Sequence, residues 1–376
     1  MMPNGFFGPD RAPHLVNLWE PKGMSSPAPV AQIDKKKSLI LGGVGLFFII
    51  IIFWKVIPQI GSYSDALDAL KAMGVMSIVL VVVCVLVYLT CYGLPFMAAT
   101  PGLKFWPSEQ INQAAFAISN GVPGGGAVGL AFQYGMLATY KVAPASATSA
   151  ITAVGIWSTF VSLGFPILGV VALVIGGENG SSYIWAGILG LAILAGVIVG
   201  FTLLMRSESA ARWMGRVGNK IIGPFRGKIK ALATIDLIAP LVSFRVSMYD
   251  VLKRRWSALS AAQIAVSFTQ FLVLYVALRG IQGWDTPGTS MWLVFAAFAI
   301  SQLGMMIPIT PGGLGTVDAV MISLLVKFGV DSGEATAADL VWRASSYIPQ
   351  ITIGIISLVA WTKKAGQTFA TTTKDA

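Results

Sequence analysis

Long runs of apolar residues constrain the fold of this chain more than any other feature of its sequence. Residues Met73–Ala99 and Ser146–Ile175 contain no charged side chain, and each exceeds the ~20 residues that a helix needs to cross a bilayer. Of the 376 residues, 55% are hydrophobic and only 11% are charged, against about 25% charged residues in a typical soluble domain. The sequence therefore predicts an all-α polytopic membrane protein.

Two kinds of apolar segment can be distinguished. Segments long enough to span the membrane are Ser38–Ile60, Met73–Ala99, Ser146–Ile175, Tyr183–Met205, Ala258–Leu278 and Ala338–Trp361. The regions Glu109–Tyr140 and Met291–Gly329 are also apolar, but proline and consecutive glycines interrupt them, and these residues break helices. We expect each of these two regions to form a helix, a break and a second helix.

The two broken regions resemble each other in sequence. Residues 114–119 and 296–301 both read AAFAIS, and each stretch is followed by a Pro-Gly-Gly break. Beyond the break the matches continue at a constant new spacing, at Leu137/Leu325, Val142/Val330, Ala147/Ala335, Thr148/Thr336, Ala150/Ala338 and Ser158/Ser346. Because the match continues past the break, the sequence predicts an internal duplication.

The positions of basic residues predict how the two copies face. Lys35–Lys37, the stretch 206–255 and Lys363–Lys364 are the basic clusters, and such clusters mark the cytoplasmic side. All three reach that side if six helices span and both broken regions are re-entrant hairpins, which makes the halves inverted repeats. This arrangement is typical of transporters with a substrate site near the midplane. The alternative is eight spanning helices, with both broken regions crossing as kinked helices.

The apolar segments and basic clusters together divide the chain into five parts. We expect a disordered cytosolic tail at 1–37, a first membrane half at 38–205, a basic cytoplasmic connector at 206–256, a second membrane half at 257–362 and a second disordered cytosolic tail at 363–376. The predicted location is the plasma membrane, with both termini cytoplasmic. We attribute the net charge of +10 to membrane topology, and we expect no nucleic-acid partner.

The residues needed for most enzyme chemistry are scarce. His14 is the single histidine, so no His-based triad or His-rich metal site is expected. Cys84 and Cys91 lie two helical turns apart, about 10 Å, which is too far for a disulfide. We therefore predict no catalytic residue, no metal and no cofactor, which disfavours a membrane enzyme such as a phosphatase.

Polar residues form a stripe in the last predicted span. Asp339, Arg343, Ser346, Tyr347 and Gln350 follow helical spacing and share one face. Ionisable groups inside a membrane are costly, so this face is predicted to meet protein or water. One hypothesis is a headgroup groove in which Arg343 clamps a phosphate through two parallel hydrogen bonds. The alternative is an Asp339–Arg343 pair near the outer interface.

The breaks supply further candidate residues. Asp318 lies in the first turn of the second half-helix, where an acid caps free N–H groups; it is also a candidate partner for Arg343, a cationic headgroup or a proton. Half-helix N-termini with bare N–H groups favour anions, whereas tight helix packing is the alternative role for small residues. The residues concerned are Pro123, Gly124, Gly125, Gly126, Pro311, Gly312, Gly313 and Gly315.

One segment resembles a known family. Residues 310–320, TPGGLGTVDAV, followed by Trp342-Arg343, resemble the transmembrane domain of lysylphosphatidylglycerol synthase/flippase proteins of the multiple peptide resistance factor type. The resemblance extends over roughly residues 38–362, and its specific part is 310–347. It implies a role in moving lipids between leaflets. It implies no lipid-lysylating activity, because no aminoacyl-transferase domain follows Thr362 in this sequence.

The first repeat lacks charged residues that the second repeat has. By the repeat spacing, Leu130 occupies the place of Asp318, and Val154-Gly155 that of Trp342-Arg343. The leading hypothesis is a flippase-like translocator of an anionic phospholipid or a lipid-linked headgroup. The alternative is a non-transporting subunit that scaffolds a lipid-modifying or glycosyltransferase enzyme. Membrane lipids are the expected partners, and no motif specifies an oligomer.

Overall fold

The computed structural model describes residues 63–121, 125–177, 198–225, 236–306 and 311–372, together with positions 192, 195 and 196. All regular structure in these ranges is helical. The predicted span Ser38–Ile60 and the predicted tail 1–37 lie outside the described residues, and the span Tyr183–Met205 is described only in part.

The described ranges contain the following helices in chain order. They are α1 (Tyr63–Lys71), α2 (Val75–Tyr92), α3 (Leu94–Ala99), α4 (Phe105–Gly121), α5 (Gly125–Thr139), α6 (Pro144–Ile175), α7 (Glu208–Ile222), α8 (Ile238–Gln282), α9 (Met291–Ser301), α10 (Thr316–Lys327) and α11 (Ser332–Thr372). Helical residues 198–206 precede α7, and short 3-10 turns at Gln302–Met306 and Pro311–Gly313 lie between α9 and α10. Helix α11 continues to Thr372, past the expected boundary at residue 362.

Among the described residues, four helical segments are long and apolar enough to cross a membrane. By length and composition these are Val75–Ala99, Pro144–Ile175, Arg254–Gln282 and Ser332–Trp361. Each coincides with a span predicted from the sequence. The prediction of an all-α polytopic membrane protein is therefore confirmed.

Helix α6 connects two opposite faces of the protein. Its 32 residues measure about 48 Å, more than the ~30 Å hydrocarbon core. It begins at Pro144, close to the end of α5. At its other end, a Cβ on Gly176 would lie 2.6 Å from Leu293 Cδ2, close to the start of α9. The regions α4–α5 and α9–α10 therefore begin and end on opposite faces.

The other spans connect the same two faces. On the face where α5 ends, Trp361 Nε1 donates to Thr139 Oγ1 at 3.1 Å, and Arg255 Nη1 donates to the Ala98 carbonyl at 3.3 Å. We call this side the connector face, because α7 and the basic start of α8 adjoin it. On the opposite face, Trp284 Nε1 donates to Ser77 Oγ at 3.0 Å.

The broken regions are hairpins that stop halfway across. Hairpin 1 (residues 105–139) packs α4 on α5, and hairpin 2 (residues 291–327) packs α9 on α10. Their tips meet, since a Cβ on Gly312 would lie 2.7 Å from Asn120 Oδ1 and 1.9 Å from the Tyr347 hydroxyl. Tyr347 lies halfway along the span Ser332–Trp361. Within the described residues the two hairpins meet halfway along the last span, which favours re-entrant hairpins over the alternative of eight spanning helices.

The ends of the two hairpins have the same backbone geometry, as an internal duplication predicts. At the end of α5, Val142 N–H donates to the Leu137 carbonyl at 3.1 Å. The equivalent bond after α10 runs from Val330 to Leu325, also at 3.1 Å. The residue before each valine has a left-handed backbone, with φ of 59° at Lys141 and 86° at Gly329.

We expect the crossing of α11 over α4 to depend on Gly354. A Cβ there would lie 2.3 Å from the Gln113 carbonyl oxygen and 2.5 Å from Ala117 Cβ. Gly354→Ala should therefore destabilise the protein by about 1–3 kcal/mol through overpacking. The control is Gly155→Ala on α6, where no atom lies within 4 Å. Thermal unfolding in detergent is the measurement, and equal midpoints for the two variants would contradict this packing.

Candidate functional site

A buried ion pair lies where the two hairpins meet the last span. Arg343 of α11 donates through Nε to Asp318 Oδ1, and through Nη2 to Asp318 Oδ2 at 3.1 Å. The guanidinium also contacts the Pro311–Gly313 turn, with Nη2 3.3 Å from the Gly313 carbonyl and Nη1 3.5 Å from that of Gly312. Arg343 is 6% exposed and Asp318 is fully buried. One arginine thus ties hairpin 2 to the last span.

Asp318 has two structural roles at once. Its Oδ2 accepts the N–H of Gly315 and so caps the start of α10, the role that its position in the first turn predicted. Both its oxygens also receive Arg343, so the hypothesis of an Asp318–Arg343 pair is confirmed. The alternative pair between Asp339 and Arg343 is wrong, because the rigid fork of the guanidinium is already occupied by the Asp318 carboxylate.

Asp339 is a buried carboxyl group without a donor. It is 1% exposed, and neither of its oxygens has a hydrogen-bond partner within the described part of the chain. Asp318 and Arg343 are the charged groups that act on it electrostatically. A buried polar group left unsatisfied destabilises a fold by about 1–3 kcal/mol, and more when it is charged. Asp339 is therefore a second carboxyl group beside the Asp318–Arg343 pair.

Aromatic rings enclose the guanidinium. Arg343 Cζ lies 4.5 Å from the centre of the Trp342 ring and 5.5 Å from that of Tyr347. The Tyr347 hydroxyl donates to the Gly312 carbonyl at 3.1 Å, and Phe116 of hairpin 1 packs edge-on against the Tyr347 ring at 5.3 Å. Such rings attract cations and exclude water, which strengthens the electrostatic interactions inside the site.

The remaining residues of the predicted stripe are buried but point elsewhere. Ser346 donates to the Trp342 carbonyl of its own helix at 2.7 Å. Gln350 Oε1 accepts from the Tyr88 hydroxyl at 2.8 Å, and that hydroxyl accepts from Gln270 Nε2 at 3.0 Å. The stripe therefore faces protein, as predicted, and continues into a polar network with α2 and α8.

The Pro-Gly-Gly breaks of the two hairpins contribute differently to the site. Gly312 and Gly313 face the site with carbonyl oxygens, whereas Gly315 uses its N–H for the Asp318 cap. At the tip of hairpin 1, a Cβ on Gly125 would lie 2.0 Å from the Ile118 carbonyl oxygen, so the glycine permits close packing there; Gly126 has open space around it. Pro311 lies in the 3-10 turn, and Pro123 and Gly124 lie outside the described residues.

Sequence reasoning missed a second polar cluster, on hairpin 1. Glu109 Oε1 accepts from Gln113 Nε2 at 2.6 Å, and Glu109 Oε2 has no partner among the described residues. On the same helix, Ser108 and Asn112 donate to the carbonyls of Gly93 and Tyr92, where α2 ends and α3 begins. The available signal was the run of polar residues at helical spacing in an otherwise apolar region. Within the described ranges, no group of three His, Cys, Asp or Glu is placed to hold a metal.

The geometry suits recognition of a phosphate. Asp318 presents two oxygens to two guanidinium N–H groups, and a phosphate presents oxygens in the same fork arrangement. An anion that enters between the hairpin tips can therefore replace Asp318 without a change in the position of Arg343.

The ion pair should be strongly coupled in stability measurements. Arg343→Gln or Asp318→Asn alone leaves a buried charge without its partner, and each should cost about 3–5 kcal/mol. The double variant removes both charges and keeps an oxygen to cap Gly315, so its loss should be much smaller than the sum. Thermal unfolding of the four proteins in detergent measures this coupling. Additive losses would show that the two residues do not interact.

Comparison with known proteins agrees with this architecture. No match was found among curated proteins. Residues 39–354 match the family described as the lysylphosphatidylglycerol synthase TM region, a stretch that includes both hairpins, Asp318 and Arg343. The chain therefore belongs to the lysylphosphatidylglycerol synthase transmembrane-region family.

Proposed function

We propose that this protein is a lipid translocator that moves an anionic phospholipid or a lipid-linked anionic headgroup between leaflets. The observation that carries the proposal is the buried Arg343–Asp318 pair at the meeting point of two half-crossing hairpins. The resemblance to a family of membrane lipid proteins supports it. The protein acts by binding and release, without catalysis or a cofactor.

The first step of the proposed cycle is an exchange of partners at Arg343. The phosphate of the headgroup takes the place of Asp318 on the guanidinium, where it forms the same charge-assisted fork bonds. Asp318 still accepts the Gly315 N–H, so the start of α10 stays capped while the anion is bound. Beside this pair we propose Tyr347 as a substrate-binding residue, since its hydroxyl can donate to a phosphate oxygen. The carbonyls of the Pro311–Gly313 turn accept from Arg343 and so position the guanidinium.

The position of the pair suits alternate exposure to the two faces. Inverted repeats with broken helices place substrate sites near the midplane in many carriers. Arg343 lies near the middle of its span, and each hairpin opens to a different face, so movement of one hairpin exposes the site to one side. The acyl chains remain in the bilayer beside the exposed apolar surface, which includes Val79, Val83 and Leu86 of α2.

We further propose that the connector face is cytoplasmic and that the protein is in the plasma membrane. Arg212, Arg216 and Lys220 of α7 and Arg254-Arg255 of α8 adjoin this face. Basic residues concentrate on the cytoplasmic side of membrane proteins. Both termini are then cytoplasmic if the predicted spans outside the described residues also cross.

A leaflet-exchange assay tests the translocator proposal. The protein is reconstituted in liposomes with fluorescent phosphatidylglycerol, and the fraction of label that an external quencher reaches is followed over time. The variant Asp318→Asn/Arg343→Gln should slow the exchange about tenfold or more, because it removes hydrogen bonds to a charged group worth about 1.5–3 kcal/mol. This double variant is used because it removes both charges together and so avoids the buried unpaired charge that either single variant leaves.

The control variant is Arg212→Gln/Arg216→Gln on the exposed surface of α7, which should leave the exchange unchanged. Exchange at the wild-type rate in the Asp318→Asn/Arg343→Gln protein would refute the proposal. Loss of cellular function in the α7 variant alone would instead favour a subunit that scaffolds a lipid-modifying enzyme.

Asp339→Asn separates a functional role of this carboxyl group from a structural one. Since the carboxyl has no donor in the resting structure, removing its charge should leave thermal stability unchanged or raise it. If the carboxyl serves the transport cycle, exchange of phosphatidylglycerol should slow severalfold in the same protein. A drop in stability, or an unchanged exchange rate, would remove Asp339 from the cycle.

A further inference from the structure

A cleft opens at the base of hairpin 1 on the connector face. It has a volume of about 440 Å³, within the range of small-ligand sites. Two loops form its walls, the one that leads from α3 into α4 and the one that joins α5 to α6. The lining residues are Pro101, Gly102, Leu103, Lys104, Pro107, Tyr140, Lys141, Val142, Ala143 and Ser146.

All charged residues that line this cleft are basic. Lys104 and Lys141 come from opposite walls, and the lining contains no acidic residue. Both lysines are exposed, and neither forms an ion pair with a described residue. The cleft therefore combines a concave shape with two positive charges that no described acid neutralises.

Lys141 occupies a backbone position that suits glycine. Its φ of 59° is the one positive value among the non-glycine residues that the structure describes. Glycine is the usual residue at a left-handed helix end, because a side chain is unfavourable there. The equivalent residue of hairpin 2 is Gly329. The fold alone therefore favours glycine at position 141, and the lysine is disfavoured unless its charge is used.

The base of hairpin 2 differs in charge at the equivalent positions. By the repeat spacing, Lys104 and Lys141 correspond to Thr286 and Gly329, and Ala143 and Ser146 correspond to Asp331 and Glu334. At these four positions the first repeat has two lysines and no acid, and the second repeat has two acids and no lysine. Arg279 and Lys327 also lie near this second base, but at positions that have no basic counterpart in hairpin 1. The base of hairpin 1 and the base of hairpin 2 therefore differ in how strongly they attract anions.

We propose that the cleft at the base of hairpin 1 binds the phosphate of an anionic phospholipid headgroup, with Lys104 and Lys141 as its ligands. This inference rests on the proposed function and names the loading site of the same cycle. The cleft collects anionic lipid from the leaflet at the connector face. The charge difference between the ends of the two hairpins should make the affinity for anionic lipid higher at the connector face than at the opposite face.

Lipid binding measured by native mass spectrometry tests the cleft. Protein in detergent is titrated with phosphatidylglycerol, and with phosphatidylcholine as the zwitterionic comparison. The variants are made in the Asp318→Asn/Arg343→Gln background, so that binding at the central pair does not contribute. Lys141→Gly and Lys104→Gln should each weaken phosphatidylglycerol binding about fivefold, with little change for phosphatidylcholine.

Two controls separate a binding site from a general effect of surface charge or fold. Lys141→Gly places the preferred residue at a left-handed position, so its thermal midpoint should equal or exceed that of the parent. Lys220→Gln removes an exposed lysine of α7 on the same face and should leave binding unchanged. Equal weakening by Lys220→Gln, or none by Lys141→Gly, would overturn the proposal.

Inorganic phosphate distinguishes a lipid site from a site for the free ion. Millimolar phosphate should not displace phosphatidylglycerol, because the acyl chains add affinity that the free ion lacks. Displacement at equal concentration would assign the cleft to free phosphate and overturn the lipid assignment. Failure of the leaflet-exchange test would refute the translocator while leaving the binding result intact, so the two proposals fail separately.

Discussion

The structure depends on a constraint that the bilayer imposes on irregular backbone. A break at membrane depth leaves N–H and C=O groups without partners, and lipid cannot supply them. Here protein side chains satisfy these groups. Arg343 and Tyr347 donate to the carbonyls at the tip of hairpin 2, and Asp318 accepts the Gly315 N–H. The residues that permit the hairpin to exist are thus the same residues that form the candidate site.

Because the break and the charged residues satisfy each other's hydrogen bonds, charge is tolerated at the centre of the protein. A buried arginine is expensive unless every donor has an acceptor. The turn carbonyls and the Asp318 carboxylate supply acceptors on one side, and the Trp342 ring covers another. The pair is therefore stable at rest while remaining exchangeable, because a phosphate offers the guanidinium the same fork.

Much of the fold could be predicted because membrane helices and breaks follow local rules. The apolar runs predicted Pro144–Ile175 closely, and the repeated AAFAIS motif predicted paired hairpins. The partner of Arg343 was harder, because Asp339 is one turn away whereas Asp318 is distant in sequence. Only the packing of α10 on α11 decides between them. The cluster around Glu109 depends on the exact position of the α2–α3 break, which local spacing does not specify.

The first repeat has no counterpart of the ion pair, so different interactions attach the two hairpins to the last span. Hairpin 2 is held to the last span by the hydrogen bonds of Arg343, whereas Leu130 and Gly155 occupy the places of Asp318 and Arg343 in the first repeat. Hairpin 1 contacts the same span through uncharged packing, with Phe116 on Tyr347 and with Gln113 and Ala117 of α4 against Gly354. A change of charge at the site therefore acts on the attachment of hairpin 2 and not on that of hairpin 1. An anion that binds Arg343 should loosen hairpin 2 and leave the packing of hairpin 1 unchanged.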